Sequence, residues 1–227
     1  NVGFVDANIS SPNTGIGIIA GYVGLAAGAE NYTGKITNCY TTGVLKGSGA
    51  AGGIGGVLGG SGYIKNCYSS ATVIDQIANN AGKAGGIIGR VNGNASGSSI
   101  ENCYTSGDIN AIGGGNAGGI VGKVDGGKLV IKNCIAWNSM LVSTDKAKVG
   151  RIVGGTANAT YENYAYDGMI LKAGEATFTV SDETSPSGSS FQGVAKSANE
   201  LKNTVINWDS SLWKEGGNGY PVFKWSK

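Results

Sequence analysis

Histidine is missing from all 227 residues. Without an imidazole the chain cannot run Ser-His-Asp or Cys-His hydrolysis, HExxH zinc peptidase chemistry, or His ligation of iron or copper. Carboxylate pairs, lysine, tyrosine or a substrate-held metal are the catalytic resources left. Proline is nearly absent, at three residues, and that excludes collagen, which needs it in abundance beside a glycine at every third position. Charge is sparse: 14% of residues are charged and the net charge is +2, with the two signs interspersed. No basic stripe for nucleic acid follows from that pattern. A 41% apolar fraction argues against disorder and for a buried core. Long apolar runs are lacking as well; residues 15–29 form the longest, broken by five glycines and shorter than the about 20 residues a bilayer crossing needs. No membrane span and no signal peptide are expected, and a chain that starts at Asn1 without Met is expected to be trimmed from something longer.

What is present in excess is glycine, 42 of 227 residues against a usual share of about 7%. The glycines fall in a repeated block: IGIIAGYV at 16–23, AGGIGGVL at 51–58, AGGIIGRV at 84–91, AGGIVGKV at 117–124 and the weaker VGRIVGGT at 149–156. Gly21, Gly56, Gly89, Gly122 and Gly154 are spaced 35, 33, 33 and 32 residues apart. A second block follows each copy: ITNCY at 36–40, IKNCY at 64–68, IENCY at 100–104, IKNCI at 131–135 and the degenerate YENYA at 161–165.

Apolar residues alternate within each block, the period of a strand, and glycine opposes a helix by about 1 kcal/mol per residue relative to alanine. A single unit has no way to bury its apolar face alone. Stacking the units in register places Ile19, Ile54, Ile87, Ile120 and Ile152 in one column, Val23, Leu58, Val91 and Val124 in a second, and Ile36, Ile64, Ile100 and Ile131 in a third. Three inward columns describe a parallel β-solenoid of about five to six coils, roughly 25–30 Å long at a strand spacing of about 4.8 Å. A propeller would need four antiparallel strands per blade and hairpin signals that this sequence lacks. The position after the third column reads Thr37, Lys65, Glu101, Lys132 and Glu162, so opposite charges alternate along an exposed line, as a parallel stack requires.

AGGIIGRV followed by IENCYTSGDI resembles the GLUG-motif repeat of bacterial surface proteins, adhesins and regions of immunoglobulin A proteases, over residues 15–166. The resemblance implies a right-handed parallel β-helix and a secreted or cell-surface location. It implies no protease activity and transfers no catalytic residue, because the repeats are not the catalytic part of such proteins.

Beyond residue 166 the pattern lapses. Residues 181–190 are polar with Pro186 and predict an exposed turn. Ser197 and Glu200 form a capping box before Leu201 and Val205, which predicts a short helix over 198–206. Three of the four tryptophans follow. An open solenoid end exposes strand edges and an apolar cross-section, so 1–166 is expected to be the repeat domain and 167–227 its C-terminal cap. Residues 3–9 could supply a partial first coil.

Four cysteines, Cys39, Cys67, Cys103 and Cys134, follow the coil period rather than any metal-knuckle spacing. A column is a line, not a convergent metal site; unpaired buried thiols and a coil-to-coil disulfide both fit the distance. Two GxGxxG matches, at 47–52 and 113–118, lack the strand and helix a dinucleotide site needs, and no GGxGxD calcium repeat is present. No metal or cofactor is expected. Glu101 and Glu162 fall two coils apart, about 10 Å, near the separation inverting glycosidases use, but the charge column accounts for both. Asp75 and Asp108 stand alone. Asn8, Asn31, Asn94 and Asn158 head N-x-S/T sequons.

Tyr40, Tyr68 and Tyr104 stack on three successive coils. Simple alternation from the isoleucines puts them inside; a left-handed bend at the preceding asparagine, with its amides laddered, turns them outward. Inward they are core, and outward they make an aromatic strip able to lie on sugar rings or a partner's apolar patch. With no catalytic residue named, the expectation is a non-enzymatic surface or secreted module, adhesin-like or a spacer, toward a host protein or glycan and part of a larger surface protein. The alternative is a polysaccharide-degrading β-helix lyase or glycosidase, weakened by having only Arg90 and Arg151 as arginines.

Overall fold

The structure, a computed structural model, describes residues 1–27, 30–79, 81–93, 95–155, 159–181 and 192–226. The turn expected over 181–190, apart from its first residue, and the sequons at Asn94 and Asn158 lie outside the described residues.

Five coils stack in parallel. The third coil shows the unit: Lys83–Gly85, Ile88–Val91, Ser96–Glu101, Tyr104–Thr105 and Ile109–Ala111. Each strand is short because a glycine, an asparagine or a polar turn interrupts the alternation that makes it. Equivalent strands of neighbouring coils pair in register, Ile64 with Ile36 and Ile100, Ile100 with Ile131, and Val91 with Leu58 and Val124. The isoleucine column links the coils directly: each of Ile19, Ile54, Ile87 and Ile120 donates its N–H to the next coil's carbonyl, at 3.0–3.1 Å. Ile54, Ile87, Ile120 and Ile152 are fully buried, and only Ile19, at the first coil, is half-exposed.

The interior has two apolar lobes. One holds Ile54, Leu58, Ile64, Cys67 and their equivalents; the other holds Leu45, Ala51, Val73, Ile109, Leu141 and Val149. Between them the coil is pinched where the second glycine of each pair faces a small residue across the interior. A Cβ at Gly86 would lie 2.2 Å from the Gly119 carbonyl oxygen and 2.5 Å from Thr105 Cγ2, and one at Gly53 would lie 2.2 Å from Ser69 Oγ. The buried hydroxyls in this seam are satisfied by the glycine backbone: Thr41 donates to the Gly53 carbonyl at 2.9 Å and Thr105 to that of Gly119 at 2.8 Å. The glycine excess is thus a steric requirement, because no side chain fits where opposite walls touch.

Asp75 is buried in this shell, and its carboxylate accepts hydrogen bonds from the backbone N–H groups of Gly49, Ile77 and Lys83 at 2.9–3.0 Å. The carboxylate thereby staples two turns.

At the N-terminal side Val2–Ser10 pairs in parallel with Cys39–Gly47, with an irregularity between Phe4 and Ala7. At the other side Ile170–Ala173 turns back on Ala176–Phe178 as an antiparallel pair, and Val194–Lys196 adds in parallel to Tyr164–Tyr166. Helix α1 (Ala198–Trp208) follows, capped by Ser197 and Glu200 as the sequence predicts, and buries Leu201 and Val205. No helix among the described residues is long and apolar enough to cross a membrane.

Candidate functional site: a tyrosine ladder beneath a strap

Asn38, Asn66, Asn102 and Asn133 all sit at φ 50–53°. Asparagine is among the few residues that enter this left-handed region at low cost. Their amides ladder, Asn66 Nδ2 donating to Asn38 Oδ1 and Asn102 Nδ2 to Asn66 Oδ1, each at 3.2 Å. The bend reverses the alternation, so cysteine enters the core and tyrosine faces out of the coil.

Cys39, Cys67, Cys103 and Cys134 form a buried column of free thiols. The Sγ of Cys67 donates to Lys65 O at 3.3 Å and that of Cys103 to Glu101 O at 3.2 Å. Burial pushes the Cys67 and Cys103 thiols well above the ordinary range, and Cys39 rises through its hydrogen bond with Cys67 and through burial. Such thiols are poor nucleophiles.

Outside the coil, Tyr40, Tyr68 and Tyr104 stack face to face at 5.0 Å with interplanar angles of 7° and 4°. Gly3 continues the column beneath Tyr40, where any Cβ would strike the ring at 2.3 Å. Yet the three rings are not open to solvent. The C-terminal segment after Lys196 doubles back along this flank and covers them: Trp213 packs on Tyr68 and Tyr104, Phe223 on Tyr68 at 5.3 Å, and Trp225 on Tyr40 at 5.6 Å. The Tyr104 hydroxyl donates to the Pro221 carbonyl. Burial raises the Tyr68 and Tyr104 phenols well above their usual range. The ladder therefore satisfies neither expectation as stated: it points outward, and it is core to a second structural layer. The aromatic residues expected over the open end lie along the side instead.

Beside the ladder runs a groove of about 460 Å³. Its floor is the next outward column, Thr42, Ser70 and Ser106, and its wall is the strap's hairpin, Trp213–Glu215 with Pro221–Phe223, whose turn contributes Gly216, Gly217 and Asn218. In the fourth coil this column holds Trp137, which packs edge-on against Tyr220 at 4.7 Å and closes that end. The Ser70 and Ser106 hydroxyls have no hydrogen-bond partner among the described residues. Glu215 is held by Lys202 at 2.8 Å. Burial, with Tyr166 and Asp108 nearby, raises the Tyr220 phenol, so it is a neutral hydrogen-bonding group at pH 7. Tyrosine repeats signal the ladder in the sequence; the hydroxyl column beside it gives no signal, since serine and threonine are common on any strand.

The charge column holds Lys65–Glu101 at 3.7 Å as expected, whereas Glu162 meets Lys132 at 3.8 Å from outside the expected register. In the fifth coil the match of YENYA to IKNCI slips by one. Ile131 pairs with Thr160, Lys132 with Tyr161, and Glu162 takes the left-handed bend at φ 53° in place of asparagine. Asn163 then occupies the cysteine position, its Oδ1 accepting from Cys134 N at 2.9 Å and its Nδ2 donating to Ile131 O at 3.0 Å.

No protein-family profile and no curated protein matches the chain. Among solved structures it is similar to a "putative immunoglobulin A1 protease" from Bacteroides ovatus, at 50% identity and a TM-score of 0.90 over 100% of this chain and 68% of the other. That name points to a secreted or surface protein. It also overturns the expectation of a non-enzymatic chain, because a half-identical relative is named as a protease. The physical reason is that missing histidine excludes mechanisms, not enzymes; carboxylate, lysine and tyrosine chemistry stay open. Identity at this level, over the whole chain and on one fold, shows that the chain belongs to the β-solenoid family of the immunoglobulin A1 protease-like protein of Bacteroides ovatus.

Proposed function

We propose that this chain is the β-solenoid of a secreted or surface-exposed enzyme of immunoglobulin A1 protease type, built of GLUG-type repeats within 1–166, and that it holds the substrate along the ladder flank. The observation that carries this reading is the groove beside the tyrosine ladder. Its floor is set by the coil register and its wall by the strap, so the site is rigid before anything binds, which lowers the entropic cost of association. Tyr40, Tyr68 and Tyr104, nearly buried beneath the strap, line one side of the groove and fix the strap against the coils. Its groups are hydrogen-bonding hydroxyls, one amide, tyrosine rings and the charged pair of neighbours Lys214 and Glu215, the composition of a polar recognition surface.

Surface plasmon resonance of the chain against immobilised immunoglobulin A1, run beside a gel assay for cleavage, tests this. Binding to the wild type and its loss in Ser70→Trp, which fills the groove from an exposed position, is the expected result. Equal binding by both proteins would move the substrate to another face, and no binding by either would sink the proposal.

A further inference from the structure

We infer that the groove takes a neutral oligosaccharide, laid along the coil axis across Thr42, Ser70 and Ser106; this rests on the substrate-holding role proposed above and names its ligand class. The floor is the face of a sheet, not its edge. Strand backbone there is consumed by coil-to-coil pairing, as where Ser70 N donates to Thr41 O at 2.9 Å and Ser106 N to Ser69 O at 2.9 Å. A peptide added as a further strand borrows main-chain hydrogen bonds from a free edge, and this floor has none to lend.

What the floor offers is side-chain hydroxyls. Ser70 and Ser106 are without partners among the described residues, and each can donate or accept as its rotor turns. They repeat at the coil spacing of about 4.8 Å, so a linear ligand rich in hydroxyls meets the same group at successive steps. The wall adds Asn218, which offers both donors and an acceptor, and a turn in which a Cβ at Gly217 would meet nothing within 4 Å. The charged groups of this wall are Lys214 and Glu215, the latter engaged by Lys202. That leaves the lining one cation, Lys214, where a uronate polymer charged at every ring calls for a row of them, so the groove favours a neutral chain.

Isothermal titration of the full chain with maltohexaose, cellohexaose and chitohexaose, with hexagalacturonate as the charged comparator and an unglycosylated Ser/Thr-rich peptide as the other, tests the inference. At least one neutral hexaose should bind, and Ser70→Ala with Ser106→Ala should weaken it roughly tenfold, the loss of two ordinary hydrogen bonds. Both positions are at the surface, and an unchanged melting curve confirms the fold; Asn218→Ala on the wall gives a second, independent reduction. Binding of the peptide or the uronate alone, or hexaose binding indifferent to these variants, overturns the inference. If no sugar binds while immunoglobulin A1 still does, only the ligand class is wrong. If neither binds, the substrate-holding role falls with it.

Discussion

The asparagine at each bend decides which side chain enters the core. With Asn38, Asn66, Asn102 and Asn133 at positive φ, cysteine goes in and tyrosine goes out; without the bend the two would exchange. The fifth coil shows the cost of the wrong residue, since Glu162 adopts φ 53°, where a side chain other than asparagine or glycine is strained by about 1–2 kcal/mol. Glu162→Asn should therefore stabilise the protein by up to about 1 kcal/mol, because the exposed Lys132 pair it removes contributes under about 1 kcal/mol. Urea unfolding midpoints measure this, and a lower midpoint would show that the bend is unstrained. The same residue explains the misaligned fifth copy: sequence matching placed Asn163 on the asparagine column, but the backbone conformation went to Glu162 and the asparagine amide filled the cysteine site. At the next position all four thiols are buried, and those of Cys39, Cys67 and Cys103 are pushed up in pKa. All four should resist iodoacetamide at pH 8 in the folded state and react together after denaturation without reductant. Fewer than four reactive thiols in denaturant would establish a disulfide in the column.

Strands were legible because their cause is periodic. An isoleucine every 33 residues or so, flanked by glycine, has one satisfactory arrangement, and Ile54, Ile87, Ile120 and Ile152 are buried to the last atom. Ile87→Ala or Ile120→Ala should cost about 2–5 kcal/mol as a truncation in a packed interior, whereas Lys132→Ala on the exposed charge column should cost under about 1 kcal/mol. Equal losses in denaturant melts would reverse the assignment of inside and outside. The glycine seam was only half legible. Pairs of glycines announce a tight place, but not that two walls meet there and divide the core, because the partners Ser69 and Thr105 lie on strands with no glycine of their own. The strap was the least legible element. Its tryptophans declare that something must be buried, yet the burial partner is set by the length and direction of a connection through residues without periodicity. Trp213→Ala, which removes the ring between Tyr68, Tyr104 and Phe223, should cost about 3–5 kcal/mol and increase binding of a hydrophobic dye as the ladder is uncovered. Dye binding equal to wild type would mean that the strap holds by other contacts.

A stack of coils is close to one-dimensional: each layer touches only its neighbours, so stability is nearly a sum of local and nearest-neighbour contributions, and the ends are free to fray. The strap breaks that rule here. It leaves the stack at Val194–Lys196, the rung added beyond the fifth coil, crosses Tyr104 and Tyr68, and finishes with Trp225 on Tyr40 of the first coil. Layers separated by five steps are thereby linked through one segment, and the first coil cannot peel away without releasing the last. Unfolding should be a single sharp transition, not a gradual loss from one side. For a chain made from its N-terminus onward, the tyrosine of the first coil waits through almost the whole of synthesis for the tryptophan that will cover it.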